Sequence, residues 1–478
     1  MNAIIKPHRF TGFVRVPASK SHTIRQLLIA AQAEGFSEIE HPLDSLDARS
    51  CVAVCRTLGA EIAEYRGLDS SSPNPRDEKG EKLLRWTVKG YTHDPFAEGP
   101  KRCDVGNSGT TLFLALAAAA LGKEPVEFDG DEQIRRRSAG PLLEALAGLG
   151  VSVKSEASGC APITVQGPWK GGRVSLSCPT SQYLSALLLA APLAPAGVVT
   201  EIDIPLLNER PYIEMTLSYL DSQGIPYETT PDYSYFRIPG GSAWKPLKGQ
   251  VPADFSSAAF PAAAAVISGG SVTLLGLDPN DTQGDKAFFD FLEEMGCRVK
   301  WDQVPLEHIP LGSFVPETLK AIGQKALELD IAEWQLTVSR KGSLKGGVFD
   351  LNSTPDLLPV LAAVACFAKG DTALVNVAHA RLKETDRITV MVEELRNLGV
   401  KTTERPDGLV IHGCGKVLPY ENVGTRENLK TDGRGDHRIV MALAAAALGC
   451  PAPVEIAGAE SADVTYPGFL ELLRADVV

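Results

Sequence analysis

The sequence has no apolar run that could cross a bilayer. One of its longest, LFLALAAAALG, falls short of the roughly 20 residues that a transmembrane helix needs. The N-terminal stretch MNAIIKPHRF has no apolar core of signal-peptide length. Aromatic residues occupy only 6% of the 478 positions, but 44% are hydrophobic, and low-complexity tracts are missing. We therefore expect a folded protein of two or three domains, located in the cytoplasm and not bound to a membrane.

An excess of basic residues is also missing. The formal net charge is −12, and a field of that sign repels nucleic acid as well as anionic membranes. The nine cysteines lack the paired spacing of a disulfide framework or a zinc site. We therefore expect reduced thiols, no metal and no nucleic-acid partner, and any anionic ligand must be captured by local groups.

What the sequence does contain is a pattern repeated six times. Each copy has a polar turn, an alanine-rich helix, a glycine and a short apolar strand. The copies read ASKSHTIRQLLIAAQAEGFSEIE, GNSGTTLFLALAAAALGKEPVEFDG, PTSQYLSALLLAAPLAPAGVVTEID, DFSSAAFPAAAAVISGGSVTLLG, TPDLLPVLAAVACFAKGDTALVNV and GDHRIVMALAAAALGCPAPVEIAG. A glycine-closed amphipathic helix and another strand follow most copies, which predicts a βαβαββ-like unit of about 70 to 100 residues.

The repeats predict the fold class and a domain boundary. Alanine-rich helices without a polar face are predicted to be buried on all sides, and strands joined through helices indicate an α/β protein. Six units divide most simply into two domains of three. The boundary is predicted near Val251, where PGGSAWKPLKGQVPADFSS interrupts the regular pattern. Residues 70–80 and 305–345 are predicted to be insertions.

Polar and charged residues occupy the starts of the repeated helices. Ser, Thr, Asp and Asn are the preferred N-caps, and capping alone explains most of these positions. Lys20, Arg25 and Arg438 are different, because a cation near a helix N-terminus opposes the helix dipole. A bound anion would make a cation favourable at a helix start, because the anion attracts both the cation and the free N–H groups of the helix.

Two further basic segments favour an anion site. Lys383 and Arg387 lie one turn apart on a predicted helix face, where like charges repel unless Glu384 and Asp386 offset them. The arginines at 135–137 precede the helix AGPLLEALAGLG, and guanidinium groups suit bidentate recognition of phosphate or carboxylate. Together, the basic residues predict a cleft for one or two substrates that carry several negative charges.

Seven motifs in a fixed order indicate a family. They read SKSHTIRQLLIAA, GNSGTT, TSQYLSALLLAAPLA, RPYIEMTL, PDLLPVLA, KETDR and GDHRIVMA. From Val16 to Leu470 the sequence resembles the enolpyruvyl transferase family, and within it the 5-enolpyruvylshikimate-3-phosphate synthases. The resemblance implies a two-domain inside-out α/β barrel of six βαβαββ repeats, three per domain, with the active site in the cleft between the domains. It implies one domain of residues 19–251 and another of residues 1–18 and 252–478.

The resemblance also implies a reaction. The enolpyruvyl group of phosphoenolpyruvate is transferred to the 5-hydroxyl of shikimate 3-phosphate through a tetrahedral addition–elimination intermediate, with release of phosphate. The reaction belongs to chorismate and aromatic amino-acid biosynthesis and needs no cofactor, and the protein is expected to be a monomer. Addition to the enol ether needs one proton delivered to the methylene carbon and one removed from the hydroxyl, which separate acid and base groups can do.

The resemblance assigns residues to these roles. The implied catalytic residues are Asp356, Glu384 and Lys20. The implied contacts to shikimate 3-phosphate are Lys20, Ser21, Arg25, Thr180, Ser181, Gln182, Tyr212, Asp356 and Lys383. The implied contacts to phosphoenolpyruvate are Lys20, Asn107, Gly109, Arg137, Gln182, Arg387 and Arg438.

Five positions depart from the common family pattern. Gln133 and Phe113 stand where the bacterial pattern has arginines, Glu209 where it has serine, and His379 where it often has asparagine. Val464 stands at the position of a lysine that usually helps to hold phosphoenolpyruvate. Loss of one charge-assisted contact costs about 1.5 to 3 kcal/mol. We therefore expect a weakened affinity for phosphoenolpyruvate.

Three other interpretations stay open. The sister family that uses UDP-N-acetylglucosamine as acceptor shares the architecture, but its catalytic-loop cysteine has no counterpart in DGDEQIRRRSAG. A non-catalytic homologue that binds shikimate 3-phosphate would account for Val464, Gln133 and Phe113. A nucleotide-binding α/β enzyme has little support, because neither GxxxxGK[ST] nor a strand-linked GxGxxG occurs.

Overall fold

The computed structural model describes residues 1–68, 72, 74–91, 101–305, 332–415 and 429–477. The chain divides into two compact units. Unit 1 contains Met1–Ser19, Gly67–Lys82 and Pro252–Val478, and unit 2 contains Lys20–Arg66 and Leu83–Val251.

Helices and strands alternate along the chain. The described α-helices are α1 Lys20–Gln32, α2 Leu46–Leu58, α3 Gly109–Ala119, α4 Gly140–Gly148, α5 Gln182–Ala190, α6 Arg210–Gln223, α7 Phe255–Ser268, α8 Ala287–Glu294, α9 Leu358–Ala365, α10 Arg387–Asn397, α11 His437–Ala447 and α12 Phe469–Leu472. The described strands are β1 Asn2–Ile5, β2 Thr11–Arg15, β3 Phe36–Glu40, β4 Glu61–Gly67, β5 Lys82–Lys89, β6 Lys101–Asp104, β7 Val126–Asp129, β8 Ser152–Ser155, β9 Ile163–Gln166, β10 Gly172–Ser175, β11 Val199–Asp203, β12 Glu228–Thr229, β13 Tyr235–Pro239, β14 Lys248–Gln250, β15 Ser271–Leu275, β16 Cys297–Pro305, β17 Ala332–Arg340, β18 Leu344–Lys345, β19 Val348–Asp350, β20 Ala368–Val375, β21 Lys401–Arg405, β22 Gly408–Cys414, β23 Leu429–Asp432, β24 Val454–Ala457 and β25 Asp476–Val477.

The described strands form three sheets in each unit, and the six sheets share one pairing pattern. In unit 2 the strand orders are β14-β3-β5-β4, β6-β7-β9-β8 and β10-β11-β13-β12. In unit 1 they are β23-β24-β1-β25, β16-β17-β15-β2 and β18-β20-β22-β21, with β19 also paired to β20. A parallel pair lies at one end of each sheet, and antiparallel pairing follows. Copies of one βαβαββ unit would produce this arrangement.

The alanine-rich helices are buried, as their composition predicts. Every residue of α3 and of α11 is buried, and so is every residue of α7 except its last. Alanine suits such helices because it loses no side-chain entropy and lets neighbouring elements approach closely. The first helix of each predicted repeat corresponds to α1, α3, α5, α7, α9 and α11.

Two strands, β1 and β17, pair with strands that are not adjacent to them in the sequence. Strand β1 lies between β24 and β25, so the start of the chain completes a sheet of unit 1. Strand β17 pairs with the whole length of β16, so the prediction that residues 305–345 are an insertion is wrong for this strand. Its alternating apolar and polar residues, AEWQLTVSR, belong to the repeat's own sheet. Residues 306–331 and parts of 70–80 lie outside the described residues.

Candidate active site

Within unit 2, Arg25 is a buried cation held by neutral oxygens. It lies in α1 with 1% of its surface exposed. Its Nε donates to Thr216 Oγ1 at 3.0 Å, and its Nη2 donates to Ser185 Oγ at 3.2 Å. Its guanidinium also donates to the backbone carbonyls of Ser21 at 3.1 Å and Tyr212 at 3.4 Å. Burial lowers the pKa of Arg25 to about 10, because the charged guanidinium is removed from water. An anion nearby would therefore stabilise the cationic form of Arg25.

The same contacts link three predicted ligands of shikimate 3-phosphate. Because the Arg25 guanidinium bonds to the carbonyls of Ser21 and Tyr212, it ties the start of α1 to the start of α6. The structure therefore brings Ser21, Arg25 and Tyr212 together. Since Arg25 is almost fully buried, its hydrogen bonds mainly fix the positions of Ser21 and Tyr212.

The start of α5 forms a cradle of hydrogen-bond donors, and Glu209 fills it. The donors are the Ser181 amide, at 2.9 Å from Glu209 Oε2, the Ser181 hydroxyl at 2.8 Å and the Thr180 hydroxyl at 3.0 Å. Glu209 is 2% exposed and precedes α6. We call the three donors of Thr180 and Ser181 the α5 cradle. A carboxylate of the chain is therefore bound to two residues that the family resemblance assigns to shikimate 3-phosphate.

Lys20 opens α1 and is paired with an acidic residue that sequence reasoning missed. Its Nζ lies 3.1 Å from Asp47 Oδ2, and both side chains are mostly buried. Asp47 belongs to the first turn of α2, after the N-cap Ser45. The segment LDSLDARS contains two carboxylates, and nothing in it distinguishes Asp47 from Asp44 as the partner.

The start of α3 places Gly109 directly against Arg137. A Cβ at Gly109 would lie 2.4 Å from Arg137 Cζ, closer than any real contact. The Arg137 guanidinium also lies over the ring of Phe113, 5.8 Å from its centroid. Phe113, which stands at a family arginine position, thus supports the predicted phosphoenolpyruvate ligand through a cation–π contact.

Asn107 and Gln182 lie in the same unit. The Asn107 amide donates to Asp131 Oδ2 at 2.6 Å and to Gln133 Oε1 at 2.7 Å. Gln133, the other departure from a family arginine, therefore orients Asn107. The Gln182 amide donates to Thr110 Oγ1 at 3.3 Å, while its buried Oε1 accepts no hydrogen bond from the described residues. That oxygen can accept a hydrogen bond from a ligand.

Within unit 1, Asp356 is the centre of a cluster of cations. Its Oδ1 lies 2.8 Å from Arg387 Nη1 and 3.7 Å from Lys383 Nζ, and its Oδ2 lies 2.9 Å from Arg438 Nη2. Asp356 is in the short turn Pro355–Leu357 before α9. The structure thus brings together four of the residues predicted from the sequence. The three ion pairs fix the position of the Asp356 carboxylate.

Arg387 is the buried core of this cluster. It is 1% exposed at the start of α10, and its Nη2 donates to Glu384 Oε2 at 2.5 Å. Its Nε donates to Asp436 Oδ2 at 2.8 Å. Three carboxylates raise its pKa further above its ordinary range, although burial opposes them. Asp436 also caps α11 by accepting from the Arg438 amide at 2.9 Å, so one side chain positions both arginines.

A second buried acid, Asp285, lies near this cluster. It accepts a hydrogen bond from the Ser256 hydroxyl, at the start of α7. Burial, followed by the charge of Asp356, raises the pKa of Asp285 to about 7, while Arg438 opposes this shift. Sequence reasoning missed Asp285 because QGDKAFF has the form of an ordinary polar turn.

Val464 lies at the end of the 3-10 helix Ala459–Val464 and is half-buried. Among the described residues, no group of three or more His, Cys, Asp or Glu side chains is arranged to hold a metal ion. In the same parts of the chain, no helix combines the length and apolar character that a membrane crossing requires.

Comparisons with known proteins identify the family. The model of EPSP synthase (3-phosphoshikimate 1-carboxyvinyltransferase) matches residues 4–473. A 3-phosphoshikimate 1-carboxyvinyltransferase of Acetivibrio thermocellus is 42% identical over 98% of this chain and 96% of its own. One from Halobacterium salinarum is 36% identical over 99% of this chain and 98% of its own. A solved EPSP synthase of Acinetobacter baumannii has a TM-score of 0.70 and 25% identity, covering 99% of this chain and 97% of that one.

The fold and the cationic site thus define an α/β transferase for anionic substrates. The match over nearly the whole length is more specific: this chain belongs to the EPSP synthase family. The predicted family, the predicted enzyme class and the predicted two-domain inside-out α/β fold are confirmed.

Proposed function

We propose that this enzyme transfers the enolpyruvyl group of phosphoenolpyruvate to the 5-hydroxyl of shikimate 3-phosphate and releases phosphate. The observation that carries the proposal is the 42% identity, over 98% of the chain, to a 3-phosphoshikimate 1-carboxyvinyltransferase. The family match does not favour the three alternatives considered above, which are UDP-N-acetylglucosamine transfer, binding without catalysis and a nucleotide-binding enzyme.

The proposed mechanism has two steps, an addition and an elimination. In the addition, the 5-oxygen forms a bond to C2 of phosphoenolpyruvate, the hydroxyl loses its proton, and C3 gains one. In the elimination, the C2–O bond to phosphate breaks and the new methyl group loses a proton, which restores the double bond. Both steps need a proton acceptor and a proton donor within reach of the substrates.

We assign the proton transfers to three residues. Asp356 takes the hydroxyl proton, and Glu384 with Lys20 delivers a proton to the methylene carbon. Asp356 is held by Arg387, Arg438 and Lys383, which fixes its orientation. Lys20 is held by Asp47 at 3.1 Å. Fixed orientation favours such transfers because the groups need no reorganisation during the reaction.

Cations from both units are assigned to the two anionic substrates. Arg137 with Asn107, Gly109 and Gln182 comes from unit 2, and Arg387 with Arg438 comes from unit 1. Ser21, Thr180, Ser181 and Tyr212 of unit 2 are assigned to shikimate 3-phosphate. Neutral and cationic donors of this kind stabilise the charge that develops as phosphate leaves. The domains of residues 19–251 and of residues 1–18 and 252–478, with a cleft between them, stay a prediction.

Phosphate release tests the proposal. Purified enzyme is incubated with phosphoenolpyruvate and either shikimate 3-phosphate or UDP-N-acetylglucosamine. We expect release with shikimate 3-phosphate only, and a roughly 100-fold or greater loss of kcat in Asp356→Asn, the range that general base catalysis supplies. The exposed Asp350→Asn, in the same unit, is the matched control. Release with the other acceptor alone, or binding of shikimate 3-phosphate without any release, would contradict the proposal.

Val464 gives a separate prediction about phosphoenolpyruvate. Val464→Lys restores the charge that the family places there, so we expect the KM for phosphoenolpyruvate to fall roughly tenfold, the effect of about one charge-assisted contact. Val348→Lys, on an exposed strand residue of the same unit, is the control. A wild-type KM typical of the family, unchanged in the lysine variant, would show that the missing lysine is compensated.

We also propose that the enzyme works as a monomer in the cytoplasm, without a cofactor and without nucleic acid. The net charge of −12 supports the absence of a nucleic-acid partner, because it repels polyanions. Light scattering at working concentration tests the oligomeric state, and a mass of about twice 51.0 kDa would contradict it.

A further inference from the structure

Glu209 is an acidic residue in a place built for an anion from outside. Its Oε2 accepts from all three donors of the α5 cradle, at 2.8 to 3.0 Å. The cradle combines the N-terminal amide of a nine-residue helix with two hydroxyls, a set that binds a phosphate as readily as a carboxylate. The charge of Glu209 also reaches the buried Arg25, where it supports the cationic form.

The backbone of Glu209 has an unfavourable conformation, so the contact with the α5 cradle compensates a conformational cost. Its φ is 59° and its ψ 41°, the left-handed region that residues other than glycine seldom adopt. Although it occupies the N-cap position of α6, its side chain makes no capping bond to that helix. The side chain instead points to the start of α5, where its charge is compensated. The neighbouring Arg210 points elsewhere, to Glu214 and to the carbonyl of Pro231.

We propose that Glu209 is a resident competitor of the substrate phosphate and sets the selectivity between phosphorylated and unphosphorylated acceptors. The inference rests on the proposed function, which assigns Thr180 and Ser181 to shikimate 3-phosphate. One set of three donors cannot bind two anions, so the 3-phosphate binds only when the Glu209 carboxylate leaves the cradle. Shikimate, which carries a neutral hydroxyl at that position, does not require the displacement.

This competition lowers affinity for one ligand and not for the other. A serine at position 209 would leave the α5 cradle without a carboxylate. The phosphate could then accept hydrogen bonds from the cradle without displacing an anion. A glutamine would keep the shape of the side chain and remove its charge. The affinity ratio between shikimate 3-phosphate and shikimate therefore reports on Glu209, whereas a purely structural role would change both affinities alike.

Calorimetric titrations of the full-length enzyme with each ligand test the inference. We expect Glu209→Ser to bind shikimate 3-phosphate roughly tenfold or more tightly than wild type, with shikimate affinity changed less than twofold. Glu209→Gln should lie between the two, which keeps the test decisive if the serine variant fails to fold. The matched control is Glu214→Gln, at a half-buried glutamate on the same helix, which should change neither affinity.

The outcomes separate the inference from the proposed function. Wild-type turnover of shikimate 3-phosphate, with its affinity unchanged or weakened in both folded Glu209 variants, overturns the inference and leaves the function intact. Tighter binding in the variants without turnover in any protein supports the inference and overturns catalysis. Failure of all proteins to bind shikimate 3-phosphate overturns both.

Discussion

At the scale of single residues, the site depends on charges that are held in place by other charges. Asp356 is within ion-pair distance of three cations, and Arg387 is within hydrogen-bond distance of three carboxylates. Such a buried cluster has to compensate the desolvation of every member, so it positions groups more than it stabilises the fold. An incoming anion competes with carboxylates that already occupy the cations.

Asp285 gives a prediction about pH and stability. Its pKa is about 7 in the folded chain, mainly because of burial, against an ordinary value of 3.8. From about pH 4 to pH 7 the unfolded chain therefore releases a proton that the folded chain keeps, and stability falls by about 1.4 kcal/mol per pH unit. Asp285→Asn cannot ionise, so its free energy of unfolding relative to wild type should improve by about 2 to 3 kcal/mol from pH 5 to pH 8.

Urea unfolding at the two pH values measures this effect. The control is Asp290→Asn, at an exposed aspartate five residues further along, which should show the same difference from wild type at both pH values. An Asp285→Asn difference that is also constant with pH would mean that Asp285 is ionised throughout this range.

Gly109 gives a prediction about phosphoenolpyruvate. Gly109→Ala puts a methyl group 2.4 Å from the present position of Arg137 Cζ, so the guanidinium has to move. Because the end of an arginine is flexible, the cost falls on ligand binding rather than on folding. We expect KM for phosphoenolpyruvate to rise roughly tenfold, the loss of about one charge-assisted contact, with the melting temperature unchanged.

The control for Gly109→Ala is Gly249→Ala, where a Cβ has no atom within 4 Å. It should leave both the KM and the melting temperature unchanged. An unaltered KM in Gly109→Ala as well would show that Arg137 does not contact phosphoenolpyruvate from its present position.

At the scale of elements, the starts of the buried helices contain both the residues that we assign to the substrates and the residues that cap the helices. Ser108 caps α3, where its Oγ accepts from the Thr111 amide at 3.3 Å and pairs with the Thr111 hydroxyl at 2.8 Å. Ser108→Ala should lower the free energy of unfolding by about 1 kcal/mol. Chemical denaturation measures this, with the exposed Ser152→Ala as control, and an equal effect of the two changes would contradict a capping role.

The elements show how far the sequence determines the fold. Periodic alanine, closing glycines and β-branched strands predicted the six first helices, because a helix without a polar face has to be surrounded. Strand β17 was missed, since its partner β16 is recognisable only once residues 297–305 and 332–340 are paired in space. The motif residues around Asp356 and Arg387 were predicted by family resemblance. Asp436 was recognisable as a helix start in GDHRIVMA, but its contact with Arg387 was not. The partners Asp47 and Asp285 follow from packing and have no local signature.

Glu209 illustrates the remaining gap most clearly. The sequence showed that it departs from a family serine, but not where its side chain points. That direction depends on a left-handed backbone at position 209 and on donors from residues 180 and 181, about 30 positions earlier. Contacts of this kind follow from tertiary structure.

At the scale of the whole molecule, unit 1 depends on both ends of the chain. Strand β1 is an interior strand between β24 and β25, and Ile5 is fully buried while Ile4 is half-buried on the other face. Ile5→Ala should lower the free energy of unfolding by about 2 to 5 kcal/mol, as in other buried positions. Ile4→Ala should cost clearly less, and equal losses in urea titrations would contradict this orientation of β1.

Product analysis shows directly which bond the enzyme makes. Wild-type enzyme is mixed with equal amounts of phosphoenolpyruvate and shikimate 3-phosphate, and phosphate and enol ether are followed together by phosphorus and proton NMR. We expect one enol ether on the 5-oxygen for each phosphate released, with the 3-phosphate intact. Phosphate released without the enol ether, or loss of the 3-phosphate, would show that the chain hydrolyses its ligands and would contradict enolpyruvyl transfer.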